Sequence, residues 1–225
     1  MRDYLLFVDT ETTGLPRRWT RPYAAAGRNW PHVAQVAWAV YTKEGELVKS
    51  ANYYLQIPVG SMQASSEAIH GLSPAFLAAQ GHEPRPVLEE LLRDLRTYQP
   101  LVVGHYIRLD FHMLGVEFHR AGLPNPLREL PTFCTMQLAA NDSPEATALA
   151  NRRLGDLYQR LFGEPLESAH DAWADADATA RCFFALRQRG LLTDDMVARA
   201  PRLEIPEEPT PWLRRFLQQA AFWFA

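Results

Sequence analysis

The chain has 225 residues, 47% of them hydrophobic and 22% charged, a mixture that excludes a largely disordered protein and suits one α/β core with a short extension better than two complete domains. A net charge of −3 excludes a histone-like polycation that holds nucleic acid by bulk electrostatics. A local basic surface is still open to it, since all the cations except Lys43 and Lys49 are arginines and residues 12–43 contain no acid.

Tyr4 to Val8 is a short apolar run that reads as a buried strand ending at Asp9. It is too short for a signal-peptide core. No run approaches the roughly 20 apolar residues that cross a bilayer, so a cytoplasmic protein without membrane contact is expected. Residues 16–31 then form an irregular basic aromatic loop carrying Arg17, Arg18, Arg21 and Arg28 among Trp19, Tyr23 and Trp30. Val33–Thr42 and Glu46–Ile57 flank Lys43-Glu44-Gly45, a hairpin turn between two strands. Val87, Leu88, Leu91, Leu92 and Leu95 recur at helical spacing, and Leu101–Gly104 follows as a short buried strand. Helices are expected over 110–121, 151–162 and 171–189, each stopped by a glycine at 122, 163 or 190. The fold class is therefore α/β with a mixed sheet. Residues 191–209 read as a Pro-rich linker. Cys134 and Cys182 lack the companions of a zinc site and read as free buried thiols.

Residues 210–225 form a candidate amphipathic helix. Thr210 suits the N-cap and Pro211 the first turn, and Leu213, Phe216, Leu217, Ala220, Trp223 and Phe224 fall on one stripe. A helix of this length is marginal alone, so the stripe is buried against its own domain, a second copy or a protein partner.

The chemistry concentrates where strands end. Asp9 and Glu11 occupy alternate positions of an extended chain and so share a face, able to approach one ion. Asp110 follows the Leu101–Gly104 strand and His105, while His170 and Asp175 stand at the start of the last long helix. Open α/β sheets place their sites at such ends, and hard oxygen ligands suit Mg²⁺ or Mn²⁺. Singly, each acid would also serve as a helix cap or turn residue. Asp171 and Asp177 compete with Asp175 for the last place: Asp171 is one turn away on the same face, whereas Asp177 points elsewhere. His112 and His119 read as surface or packing residues, and His105 as structural.

The order Phe-Val-Asp9-Thr-Glu11-Thr-Thr-Gly14-Leu15, then His105 with Asp110, then His170 with Asp175 five residues on, resembles the DEDDh family of 3′-to-5′ exonucleases. That family includes proofreading subunits of bacterial replicative DNA polymerases, oligoribonuclease and RNase T. The similarity spans residues 3–189, with Ala68-Ile-His70-Gly71-Leu72 and Thr132–Leu138 as secondary motifs. It implies a ribonuclease H-like mixed sheet flanked by helices over residues 1–190. It also implies two divalent ions, Mg²⁺ or Mn²⁺, about 4 Å apart. In that arrangement Asp9 bridges the ions, Glu11 and Asp175 complete one site, Asp110 supports the other, and His170 is the general base. An imidazole suits that role because it ordinarily titrates near pH 6.5. Thr12 would meet the terminal 3′-hydroxyl through its backbone, Leu15 would stack on the last base or else pack as a turn residue, and His70 would line the same pocket.

The expected activity is removal of nucleoside monophosphates from single-stranded or frayed 3′ ends of DNA. The alternatives are RNA trimming by the same chemistry and an accessory binding subunit of a replication or repair complex. Two positions depart from the family: Tyr106 stands where Asn is usual after the histidine, and Leu109 stands in place of Phe.

Overall fold

Side chains alternate across the first strand, and that alternation separates the two layers that sandwich the sheet. The computed structural model describes residues 1–25, 29–137, 149 and 152–206. Strand β1 (Tyr4–Thr12) pairs antiparallel with β2 (Val33–Thr42), which pairs antiparallel with β3 (Leu47–Tyr54). The β2–β3 turn places Gly45 at φ 97°, a conformation only glycine adopts without steric cost. Helices α1 (Ala64–His70), α2 (Pro74–Gln80) and α3 (Pro84–Tyr98) precede β4 (Leu101–Gly104), which lies parallel to β1 on its other side. Helix α4 (Arg108–Arg120) leads to β5 (Thr132–Cys134), parallel to β4, and α5 (Leu154–Phe162), α6 (Ala172–Gln188) and α7 (Asp194–Ala198) follow. Among the described residues the strand order is β3-β2-β1-β4-β5, the mixed, helix-flanked sheet of a ribonuclease H-like α/β fold.

Leu6 and Val8 of β1 join Val36, Trp38, Val102 and the buried faces of α3 and α4 in one cluster. Leu5 and Phe7 point the opposite way and join Val103, Phe133, α5 and α6 through Leu157, Phe183 and Leu186. Each such side chain withdrawn from water contributes about 1.5–3 kcal/mol against chain entropy. The sheet is thus buried on both faces, with β1 at its centre.

Several boundaries differ from the sequence-based expectation. Strand β1 runs to Thr12 because pairing with β2 continues through Glu11↔Gln35 before a register shift; Asp9 and Glu11 therefore sit on a strand and not just beyond one. Helix α1 has no buried residue and so no apolar periodicity to announce it. Helix α2 buries only Leu77, and β5 is three residues long. The linker expected at 191–209 is corrected as far as residue 206. Thr193 caps α7, accepting from the Met196 amide at 3.3 Å, Leu192 is buried, and Leu203 and Ile205 pack on the α3/α4 cluster. The prolines stiffen this segment while the interleaved apolar residues bind it to the domain. The candidate helix at 210–225 lies outside the described residues. Both cysteines are free and buried, and burial pushes the Cys182 thiol up to about 12. No described helix is long and apolar enough to cross a membrane.

Candidate active site

Asp9 and Glu11 continue the Leu5/Phe7 side of β1, the side covered by α6, while Thr10 faces α4. The Thr10 hydroxyl donates to Asp110 Oδ1 at 2.8 Å, holding the third acid, on the first turn of α4, against the strand that carries the first two. Opposite them, Ala37 of β2 packs on Ala172 and Ala176 of α6. These small side chains let the start of α6 lie close to the sheet and deliver Asp175 to the same edge. Glu11, His170 and Asp175 each present a ligand atom within 4.8 Å of the others, a candidate metal-holding group.

The loop before α6 is shaped for this meeting. His170 has φ 68°, in the left-handed region, and its amide donates to Asp175 Oδ2 at 3.2 Å. Its ring is exposed. Residues outside glycine and asparagine hold such a conformation only where the surroundings impose it.

Asp171 has a different task. Its Oδ1 caps α6 by accepting from the Trp173 and Ala174 amides at 3.1 and 3.0 Å, and its Oδ2 accepts from Gln35 Nε2 at 2.9 Å. Gln35 Oε1 in turn accepts from the Ala172 amide at 3.2 Å. This buried glutamine, paired across the sheet with Glu11, fixes the start of α6 and was not singled out from the sequence. Its signal was one amide within an otherwise apolar strand. Asp177 lies instead near Tyr41, whose hydroxyl is held above its ordinary range by burial and then by this carboxylate. Asp171→Ala is accordingly expected to cost about 0.5–2 kcal/mol, read as a melting temperature lower by roughly 1–8 °C. Loss of all turnover with unchanged stability would instead make Asp171 part of the chemistry.

Burial and mutual repulsion push all four converging carboxyls up. Asp9 is held well above the usual range by desolvation and then by Asp110, Asp175 and Glu11. Glu11 is raised to about 8 by burial and then by Asp175 and Asp110. Asp110 is raised to about 7 by burial, which outweighs the lowering effect of the Thr10 hydrogen bond. Asp175 is raised chiefly by burial, against the lowering effect of the His170 amide. Such values fix the sign of the pH response. Below about pH 4 both folded and unfolded chains hold these protons; above it the unfolded chain releases them while the folded chain keeps them, so stability falls as pH rises until the folded carboxyls have ionised through about 7 and 8. In a chelator, the melting temperature should drop by about 5 °C or more between pH 5 and pH 8. A flat or rising profile would mean that the folded chain does not hold these carboxyls above their ordinary range.

The expected substrate contacts lie around the turn after β1. The Thr12 hydroxyl donates to the Gly14 carbonyl at 2.7 Å, and the Gln63 amide donates to the Thr13 carbonyl at 2.9 Å, tying this turn to the start of α1. The Gln63 side-chain amide lies over Gly14, where a Cβ would fall 2.0 Å from Gln63 Nε2 and push that side chain aside. Leu15 is 64% exposed and Ile69 on α1 57% exposed, two apolar side chains facing solvent. His70 Nδ1 accepts from the Leu72 amide at 3.0 Å, while its Nε2 is buried without a hydrogen-bond partner. His105 is structural: its ring bridges Thr135 Oγ1 and the Arg152 carbonyl, both at 2.9 Å. Tyr106 has φ 69°, which gives the departure from the family a physical meaning. Asparagine tolerates the left-handed region that this turn imposes, and here a tyrosine bears it.

Comparison with known proteins places this geometry. The chain is 34% identical over 99 residues to the PolC-type DNA polymerase III of Streptococcus suis, a match covering 43% of this chain and 6% of that one. Its fold is that of E. coli exonuclease I. A zinc-bound complex of that enzyme with single-stranded DNA superposes with a TM-score of 0.66 at 20% identity, covering 84% of this chain and 41% of the other. A complex with a dA16 oligonucleotide gives 0.67 at 19%, covering 88% and 42%. The exonuclease I of Methylocaldum szegediense gives 0.61 at 20%, covering 83% and 40%. The chain thus spans about two fifths of the length of these structures and a small part of the polymerase. The exonuclease family model of the RNase T type matches residues 6–183, a stretch that contains Asp9, Glu11, Asp110, His170 and Asp175, and the chain belongs to that exonuclease family.

Proposed function

We propose that the chain is a metal-dependent 3′-to-5′ exonuclease that hydrolyses single-stranded or frayed DNA ends to nucleoside monophosphates. The observation that carries this reading is the convergence of Asp9, Glu11, Asp110 and Asp175 with every carboxyl held above its usual range. Such a cluster is short of positive charge. Asp175 Oδ1 is moreover buried without a hydrogen-bond partner, the state of an oxygen shaped for a ligand that is not a protein donor. Oxygen donors of this kind fit Mg²⁺ or Mn²⁺. Asp9 feels Asp110 as well as Asp175 and Glu11, so it would be shared by two ions. When bound, such ions lower the pKa of water and neutralise charge on the attacking and departing oxygens.

The remaining steps belong to the chain. His170, exposed beside Asp175, accepts the proton of the attacking water; the new P–O bond forms as the P–O3′ bond breaks, releasing a 5′-monophosphate and a strand one nucleotide shorter. The turn at 12–15 and His70 hold the terminal nucleotide, with Leu15 and Ile69 offering apolar faces to its base. DNA is favoured over RNA by the relatives, a DNA polymerase and an exonuclease crystallised with DNA. The test is matched 3′-labelled DNA and RNA oligonucleotides with Mg²⁺, Mn²⁺ or EDTA. Mononucleotide release from DNA with metal is expected. Undiminished turnover in EDTA would remove the metal mechanism, and faster release from RNA would reassign the substrate.

A further inference from the structure

On the far side of the first turn of α4 from Asp110 lies a groove of about 880 Å³, lined by Trp19, Arg108, His112, Arg128, Arg202 and Leu203. It brings together three parts of the chain that are remote in sequence: the basic loop after β1, the α4 region, and the segment after α7. Trp19 is its fixed point. The indole lies edge-on to Trp30 at 6.3 Å and 5.6 Å from His112, and the His112 Nδ1 is 3.0 Å from the Tyr23 hydroxyl. Asn29 clamps the loop from across by bonding both the amide and the carbonyl of Arg18, at 3.0 and 2.9 Å. Tyr23 and Trp30 are buried in this support and cannot reach a ligand, so the base-stacking capacity of the loop rests on Trp19 and its neighbours. The guanidinium of Arg108 sits 4.6 Å above the Trp19 ring, and Tyr106, 42% exposed, meets the same indole edge-on at 6.4 Å.

Charge and aromatic character identify the occupant. Arg85, Arg187 and Arg199 are each neutralised by a carboxylate. Among the described residues no carboxylate pairs with Arg108, Arg128 or Arg202, and Glu204 is the one acid on the groove wall. Arg17, Arg18 and Arg21 are exposed on the adjoining loop. A row of unpaired guanidiniums with an exposed aromatic ring at its head matches a ligand that alternates phosphates with flat bases. Arg108 and Asp110 are two residues apart on one helical turn and so project to opposite sides, roughly a helix diameter of ~10 Å. A strand whose 3′ end lies at the acids would therefore reach the groove with its upstream nucleotides.

We infer that this groove is a second binding site for single-stranded polynucleotide, in which Tyr106 stacks on an upstream base and Arg108, Arg128 and Arg202 contact successive phosphates. The inference rests on the exonuclease reading for the position of the 3′ end. Its test measures binding alone: fluorescence anisotropy of a thymidine dinucleotide and dodecanucleotide in EDTA across a salt series. The full chain should bind the dodecanucleotide far more tightly. The triple variant Arg108→Gln, Arg128→Gln, Arg202→Gln should lose most of that advantage and about 2 units of log-log salt slope, at ≈ 0.7 per phosphate contact on single strands. Tyr106→Asn keeps a residue suited to the left-handed turn while removing the ring, and should weaken dodecanucleotide binding about 5- to 100-fold at constant salt slope. Melting temperatures verify that both variants fold. Equal affinity for the two lengths, an unchanged slope in the triple variant, or equal competition by polyglutamate would overturn the groove. Absence of hydrolysis in the metal-supplemented assay would overturn the exonuclease reading without altering these binding outcomes.

Discussion

Asp9→Asn is expected to abolish hydrolysis and, in the same protein, to raise the melting temperature of the metal-free state. Both effects follow from one position. Asp9 lies among the charges of Asp110, Asp175, Glu11 and Asp171, and burial there already disfavours its ionised form. Asparagine keeps the shape and removes the charge, so the remaining acids ionise at lower cost and the folded state gains. A gain of 1 kcal/mol corresponds to roughly 2–4 °C in a chain of this size, and the effect should be larger near pH 8 than near pH 5. Turnover vanishes because the carboxyl that interacts with all the other acids of the cluster has lost its anionic oxygen. A stability held low for the sake of a working site is a familiar trade. Thermal melts in EDTA at two pH values, together with mononucleotide release in Mn²⁺, check both limbs. Retained turnover would remove Asp9 from the chemistry, and a lower melting temperature at pH 8 would show that its charge is compensated in the folded chain.

Replacing His170 should slow the chemical step by about 100- to 10,000-fold, the usual worth of general acid–base help, while single-strand affinity is kept. Two variants separate the imidazole from the backbone that carries it. His170→Ala removes the ring but places alanine at φ 68°, whereas His170→Asn removes the ring and suits that conformation. Either should keep the 3.2 Å bond from the residue 170 amide to Asp175 Oδ2, since residue 170 contributes only its backbone to it. Equal losses of turnover in both, with unchanged dissociation constants for oligonucleotide in Ca²⁺ and partial rescue by added imidazole, assign the effect to proton transfer. A loss confined to the alanine variant would assign it to the geometry of the loop. A parallel loss of affinity would make His170 a residue that holds substrate.

Much of this architecture is legible because a few physical signals are strong over short range. The Leu101–Gly104 run is apolar throughout, as a strand buried on both faces must be, and it appears at those residues. Gly122, Gly163 and Gly190, at φ 65°, 79° and 69°, end three helices where left-handed geometry is needed. The α3 stripe from Val87 to Leu95 is a helical period and packs as one. Helix α1 was not legible because it buries nothing, and β5 because three residues define no period. The prolines of 201–206 read as linker, yet Leu203 and Ile205 pack on the core, a contact that proline content does not signal.

At the site, the sequence by itself determined which residue types were available and in what order: an acid pair on one strand face, an acid and a histidine after a second strand, and a histidine five residues before the last acid. Local spacing is enough for that, because the strand period and the helical turn are properties of the backbone. Only the tertiary structure decided which groups meet. Thr10, facing away from Asp9 and Glu11, is what draws Asp110 to them; Ala37, Ala172 and Ala176 are small enough for α6 to approach; and Gln35 takes Asp171 as a cap, leaving Asp175 beside Glu11 and His170. The groove of Trp19, Arg108, Arg128 and Arg202 is likewise assembled from segments separated by up to 183 positions in the chain. Contacts of that kind are set by how two packed layers close on a sheet, a long-range balance of burial and shape that no local period records.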